Sequence, residues 1–521
     1  MRPDGNQIIL LASLLLAGLY APRLEAATNT ITTLVEDAVV NGNCTLREAL
    51  LASIQGAAVD QCAGDSGPDT IVLAAVGTYE LDDGDLPPLS GGALEVLGAP
   101  AQPRSAYLVD LGDQQRFLHA RSGATLRLEN LELTRGSGAS MPGGLGGGAL
   151  LVDDAALTME NVRISASHSS QGAGVDFVSG WNLDLLNVEF AGNFTAGGGS
   201  STVGQGGGLR AIEFSDRLIR LRDVRFVGNR LADPEPAATG FGGGLYLLTS
   251  VGSTVELRKL RFQNNFIETL GGASSAGMYG IIGSSGSHFE FSDGEFRGNR
   301  ADPSVATVSR GSAFSIEFSN LDQASLRRLL VIDNGGTSAA PQAALYARFP
   351  TAVVASDLLI AGHAGGGLFL GTSSGSCSIL AGNLTVAGHP ESGVVLDQGS
   401  GSIRLENSIV FGNGTVNGSD VESSTGTPDV AVENLIGIDP LFVNSGSGDY
   451  ELQALSPAID AGDATFASVG RWDLAHAPRV VGSDLDLGAL ERGGIFGDGF
   501  ETGDFSSWGV AGPGSFRSKI V

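Results

Sequence analysis

Ten stretches of this chain share one spacing of apolar residues, and that repeat constrains the fold more than any other feature. Four consecutive copies read Leu183, Leu185, Val188, Phe190, Asn193; Ile219, Leu221, Val224, Phe226, Asn229; Val255, Leu257, Leu260, Phe262, Asn265; and Phe289, Phe291, Gly294, Phe296, Asn299. The steps are two, three, two, three each time. A step of two keeps side chains on one face of a strand. A step of three marks a bend between two short strands that both point inward, and the closing Asn sits at the next corner.

The same spacing runs upstream from Leu126 to Gly136 and from Leu157 to Ser167, and downstream in copies that begin at Ala324, Val353, Ile379 and Ile403. Closing positions lie 24 to 36 residues apart. No copy of that length buries its inward face alone, so the units must stack. Strand-sized, glycine-punctuated units without helical period predict an all-β chain: a right-handed parallel β-helix of about ten or more coils. At ~4.8 Å per coil, ten coils make a rod on the order of 50 Å.

Composition agrees. Glycine supplies 78 of 521 residues, roughly twice ordinary usage, yet 42% of the chain is hydrophobic, so the glycines read as tight corners in a packed body. The charge is −27, which disfavours nucleic acid as a partner. Residues 1–26 read as a secretory signal: Arg2, an apolar core from Ile8 to Leu19, and Leu24-Glu25-Ala26 before cleavage. Twelve apolar residues are too few to span a bilayer, and no later stretch reaches spanning length, so no transmembrane segment is expected after cleavage. In an exported chain Cys44 and Cys62 would pair as a disulfide closing a short loop, leaving Cys377 buried and free.

The expected organisation is a signal (1–26), a cap and first strand (27–82), the β-helix body (83–438), a C-terminal coil and cap (439–494) and a short tail (495–521). Ile31 to Val35 reads as a strand. Thr45 and Glu48 form a capping box, and Leu46, Ala49, Leu50 and Ile54 mark one face of a short helix suited to covering the open end of the stack. Asn43-Cys44-Thr45-Leu46-Arg47-Glu48-Ala49-Leu50, Cys62, Gly67 to Leu73 and Gly77 to Leu81 resemble the N-terminal segment of CSLREA-type exported bacterial β-helix proteins. That resemblance covers roughly 50 residues, has Thr45 where the family has Ser, and implies export and a pectate-lyase-like β-helix without implying lyase activity.

Glycine triplets recur at Gly146–Gly148, Gly206–Gly208, Gly242–Gly244 and Gly365–Gly367. With the Asn-ended motif they resemble the repeats of polymorphic outer-membrane proteins. Asp439 to Val443, Leu455 to Gly462 and Asp486 to Glu491 resemble the C-terminal coil of choice-of-anchor Q proteins, and the tail Ile495 to Trp508 resembles short Asp-Gly-Phe-Glu…Trp tails on exported bacterial proteins, which implies sorting or surface retention. A tail strand tucked against the last coil by Phe500 and Trp508 is the other reading.

Three constellations are candidates for chemistry. The closing column Asn193, Asn229, Asn265, Asn299, Asn334, His363, His389, Asn413 reads as a structural ladder, with metal or acid–base work by the two histidines as the alternative. After the glycines, Ala149, Val175, Leu209, Leu245, Met278, Ala313, Leu345 and Leu368 align as inward residues. By alternation Leu150, Asp176, Arg210, Tyr246, Tyr279, Phe314, Tyr346 and Phe369 then face outward. Five successive aromatics make a sugar-stacking track, or a face packed under long loops, with Asp176 and Arg210 as candidate catalytic residues at one end. Ca²⁺ is the one cofactor with candidate ligands: Asp460, Asp463, Asp484, Asp486 and Glu491, at no known loop spacing.

The expected function is a secreted or cell-surface protein, an adhesin or a binder of a glycan, matrix or surface partner. A polysaccharide lyase or glycoside hydrolase is the alternative, and a structural spacer the second. Fold alone does not choose among them.

Overall fold

The computed structural model describes residues 26–492, except 37–39, 66, 82, 139–145, 197–202, 214–215, 234–238, 270–272, 284–285, 304–310, 320–322, 336–342, 374, 376, 417 and 467–469. The signal and the tail lie outside the described residues.

Nearly all of the chain is β, wound as a right-handed parallel β-helix. Each repeat contributes two short strands to a first sheet and one strand to a second, and each pairs in parallel with its copy in the neighbouring coil. Register in the first sheet follows the motif: Leu183 pairs with Ile219, Ile219 with Val255, and Val255 with Phe289. The bend within the motif is a left-handed residue in every coil, as at Asn161, Asn187, Asp223, Lys259, Asp293, Arg328 and Asp357. One such residue turns the strand so that positions three apart both point inward. Near the N-terminal end these corner side chains form a short ladder: Asn161 donates to Asn130 at 2.6 Å and Asn187 to Asn161 at 3.1 Å.

The inward residues form one continuous core. Its spine is a stack of phenylalanines, with Phe190–Phe226, Phe226–Phe262 and Phe262–Phe296 centroids 5.1, 4.8 and 4.6 Å apart and rings nearly parallel. Burying one such ring is worth ~1.5–3 kcal/mol, and the stacked geometry adds to it.

Between the Asn corner and the glycines, the middle coils make an excursion. Phe194–Ala196, Arg230–Asp233, Phe266–Thr269 and Arg300–Pro303 join a five-stranded sheet, and Val203–Gln205, Thr239–Phe241 and Ala273–Ser274 a three-stranded one. Leu231, Ile267, Ala273, Ala276 and Ala301 close into a small core of their own there. The chain then re-enters the body through the glycines. Gly242 has φ +66°, and a Cβ on Gly243 would lie 2.5 Å from the Ala276 carbonyl, so neither tolerates a side chain.

At the N-terminal end, the strand Thr28–Ile31 pairs with Asp69–Leu73, a few residues before the expected Ile31–Val35. The helix Leu46–Gln55 carries the capping box of Thr45 and Glu48 and ends at left-handed Gly56. Leu46, Ala49 and Leu50 close the end of the core, and a Cys44–Cys62 disulfide fixes the cap. Cys377 is free and buried.

The other end differs. After Ile436 the chain leaves the stack. Phe442–Asn444 and Asp449–Leu452 form a small antiparallel pair, and residues 456–466 and 470–492 run back as a strap over the outer face of the first sheet. Leu474, Leu490, Tyr450 and Phe442 cover Leu330, Ile332, Leu359, Ala361 and Ala387. The strap is pinned at the left-handed corners: His476 to Asp293 at 3.1 Å, Arg479 to Asp357 at 3.6 Å, and Asp463 N–H to Asn407 Oδ1 at 2.9 Å. Residues expected to add a last coil therefore brace the side of the helix.

Candidate functional site

The outer face of the second sheet holds the aromatic column, but two of its assignments shift by one residue. Leu150 pairs with Val175, and Phe314 with Met278 and Leu345, so Leu150 and Phe314 point inward. Phe314 is fully buried against Phe291 and Phe296. Ala149 and Ala313 stand where neighbouring coils have the third glycine, a carbonyl-contact position just before the strand. The outward column is therefore His119, Leu151, Asp176, Arg210, Tyr246, Tyr279, Ser315, Tyr346, Phe369 and Val395. Ser315 breaks the aromatic run into two pairs, and its hydroxyl accepts the Gly311 N–H at 2.8 Å.

The first pair is covered. Tyr246 and Tyr279 stack with centroids 5.8 Å apart and are only 5% and 3% exposed. Phe241, from the excursion, leans on Tyr279 at 4.7 Å, and Ile212, Leu248 and Ile281 complete an apolar cluster. The second pair is more open. Tyr346 and Phe369 stack face to face at 4.6 Å, and both are half-buried. Beside them, in the column two residues on, stand Glu317, Arg348, Gly371 and Asp397. Arg348 lies 3.8 Å from Asp397, and Gly371 leaves room for the Phe369 ring, whose Cε1 would lie 2.9 Å from a Cβ there.

Asp176 and Arg210 meet, as their adjacency in the stack requires: Arg210 Nε donates to Asp176 Oδ1 at 2.7 Å, and its Nη1 to Gln205 Oε1 at 3.2 Å. Asp176 is wholly buried, and burial pushes its carboxyl up while Arg210 and the nearby Arg116 pull it back down. Arg116 is held to the Gly147 and Gly146 carbonyls at 3.2 and 3.4 Å. His119, in the same face, is buried with neither ring nitrogen hydrogen-bonded among the described residues, and burial with the Arg116 and Arg121 charges lowers its pKa. Asp176 is thus sealed from solvent and clamped by Arg210. Its partners suit it to holding the glycine corner.

The closing column forms a buried ladder. Nδ2 of Asn193, Asn229, Asn265 and Asn299 donates to Oδ1 of the next Asn at 3.0, 3.0, 2.9 and 2.9 Å, ending on Asn334. The His363 ring then bonds the Asn334 carbonyl and Ser312, and the backbone N–H of His389 donates to Asn413 Oδ1 at 3.0 Å. Asn413 passes the chain on to Asp420 at 2.9 Å. Burial holds the His389 imidazole down at about 4, so it is neutral in ordinary buffers.

The five C-terminal carboxylates are spent on the strap's own backbone. Asp460 accepts the N–H groups of Ser483 and Asp484, Asp463 that of Thr465, Asp484 that of Ala464, Asp486 those of Asp460 and Arg492, and Glu491 those of Val481 and Asp486. Among the described residues no three His, Cys, Asp or Glu side chains gather as the ligands of a metal ion.

The sequence reading missed the Arg348–Asp397 pair and the strap. The strap had a signal: outward positions that are Glu132 and Thr134, or Arg261 and Gln263, in early copies become Leu330 and Ile332, then Leu359 and Ala361. Charged outer faces need no cover; apolar ones do.

No protein-family model matches the chain, and no curated protein does. Among solved structures it is similar to the pectate lyase Pel9A, at 13% identity and a TM-score of 0.29, over 90% of this chain and 98% of that one. Among the described residues no helix is long and apolar enough to cross a membrane.

Proposed function

We propose that this chain is an exported, non-catalytic β-helix protein that binds a glycan on the outer face of its second sheet, at Tyr346 and Phe369. The stacked, half-buried pair carries this reading. A sugar ring packs its C–H face on an aromatic and takes hydrogen bonds at its edge, and Arg348 and Asp397 supply both a donor fork and acceptors beside the pair. Export is supported by the Cys44–Cys62 disulfide, which persists in oxidising compartments, and by the resemblance of the surrounding segment to CSLREA-type proteins. The lyase or hydrolase alternative loses its candidate pair to burial, since Asp176 has no exposed surface.

The test is a polysaccharide panel probed with the mature protein and with the Tyr346→Ala/Phe369→Ala double variant. The reading expects saturable binding to at least one glycan and a loss of at least tenfold in the variant. No binding to any glycan, or binding that the variant keeps, overturns it, and release of reducing or unsaturated ends from the bound polysaccharide overturns its non-catalytic part.

A further inference from the structure

The two ends of the rod are built differently. The N-terminal end is sealed by the helix Leu46–Gln55 and the disulfide. Among the described residues nothing caps the C-terminal end, because the chain beyond Ile436 turns back along the side. The strands of the last coil, Val421–Thr425, Asp429–Val430 and Leu435–Ile436, are, among the described residues, terminal in their sheets and paired on one edge only. No further strand among the described residues pairs with their outer edge, where the Val421 carbonyl accepts the Ser419 hydroxyl at 2.9 Å.

The core is unfinished at the same place. Val430 continues the inward column of Leu405 and Val421 that of Val394. Leu405 and Val394 are wholly buried, whereas Val430 is 38% exposed and the neighbouring Val432 is 90% exposed. Water at this end faces a sheet edge and the cut end of a hydrophobic column, the combination that soluble β proteins ordinarily cover or interrupt with Lys or Pro.

Charge selects the occupant. From Leu405 to Gly470 the sequence has ten acidic residues and no Lys, Arg or His. Five of the ten, Asp420, Glu422, Asp429, Glu433 and Asp439, lie on the last coil or just after it. Of these, Asp429 is neutralised by Arg404 of the coil below, at 2.5 Å. Two such ends brought together would oppose like charges, which argues against end-to-end pairing of two copies.

We infer that the last coil is a docking edge for an extended, cationic segment of a partner protein, which adds to it as a further parallel strand. Main-chain bonds to the edge would give affinity, apolar side chains at alternate positions would cover Val421 and Val430, and Lys or Arg at the others would meet the acidic rim.

The test uses the full chain and two synthetic eight-residue probes, alternating Lys-Val and alternating Glu-Val, followed by fluorescence anisotropy. Two variants accompany it. Ser423→Pro blocks strand addition at the edge of the Val421–Thr425 strand, and Glu422→Gln/Glu433→Gln removes charge alone. Melting temperatures and circular dichroism establish that both stay folded. The inference expects saturable binding of the Lys-Val probe only, about tenfold weaker at 0.5 M salt, where charges are screened beyond a few ångströms. It expects binding to be lost in Ser423→Pro and weakened several-fold in the double variant. Binding that Ser423→Pro keeps, equal binding of the Glu-Val probe, or no binding overturns it. Concentration-dependent end-to-end dimers in sedimentation, or much tighter probe binding once residues 493–521 are removed, would assign the edge to a second copy or to the chain's own tail and overturn it equally.

Discussion

Replacing Asn265 by alanine should be among the most damaging single substitutions in the molecule. The side chain is fully buried and makes four hydrogen bonds. Its Nδ2 donates to the Phe226 carbonyl at 2.8 Å and to Asn299 Oδ1 at 2.9 Å, while its Oδ1 accepts Asn229 N–H and Nδ2, both at 3.0 Å. Each bond is worth about 1 kcal/mol net, so the bonds alone account for ~4 kcal/mol. The Asn229 N–H and the Phe226 carbonyl are then left buried without these partners, which adds ~1–3 kcal/mol for each group that water cannot reach. The expected loss is about 4 kcal/mol if water reaches both groups and about 6–10 kcal/mol if it reaches neither. Asn193, which makes three side-chain bonds at 3.0, 3.0 and 3.1 Å, should cost about 1 kcal/mol less. Urea unfolding followed by circular dichroism measures both. Because stacked repeats open locally, hydrogen exchange at Phe226–Val227 and Arg261–Gln263 should accompany it. A change below ~1.5 kcal/mol for Asn265→Ala, with no local loosening, would refute the reasoning, because the ladder would then be replaceable by water.

Three further outcomes follow. Arg479→Ala removes the partner of fully buried Asp357, whose pKa burial already raises, and should free the strap, making residues 456–492 sensitive to limited proteolysis while the body resists. Strap and body should answer pH oppositely. Burial lifts Glu491 to about 8 and Asp473 to about 6, so their contribution is complete below their unfolded values near 4 and is lost as pH rises through 6 to 8, whereas neutral His389, held at about 4, stabilises the body above 6.5 and ceases to as pH falls toward 4. Thermal melts of wild type against Glu491→Gln and His389→Asn between pH 4 and 9 would show it: each variant should flatten one limb of the profile. Reducing Cys44–Cys62, or Cys62→Ser, opens an 18-residue separation worth ~3 kcal/mol in the chain-entropy account and should loosen the cap helix first, seen as exchange at Leu46–Gln55 ahead of the coils.

The first sheet was legible because its inward residues keep fixed steps, so Leu183, Ile219 and Val255 align whatever the loops between them do. The second sheet was harder. Its strands begin after a glycine corner in which the left-handed residue, Gly147, Gly206 or Gly242, sits three before the first inward side chain. Counting forward from Gly147 places Ala149 in the corner, and the pairing of Phe314 with Met278 and Leu345 does the same for Ala313, whereas reading apolar character alone made both core. The burial of Tyr246 and Tyr279 depends on how the excursions fold, and the excursions carry no repeat strict enough to read. Closure of the C-terminal side depends on contacts such as His476–Asp293, more than 180 residues apart in sequence, which periodicity does not reach.

Hydrogen exchange tests the position of the binding face most directly. With a glycan from the panel bound, hydrogen exchange across the molecule should slow on the strands Ala343–Phe349 and Gly366–Thr372 and leave Leu245–Thr249 and Val175–Val178 unchanged. Protection centred on the Asp176–Arg210 strands instead, or spread evenly along the rod, would contradict it.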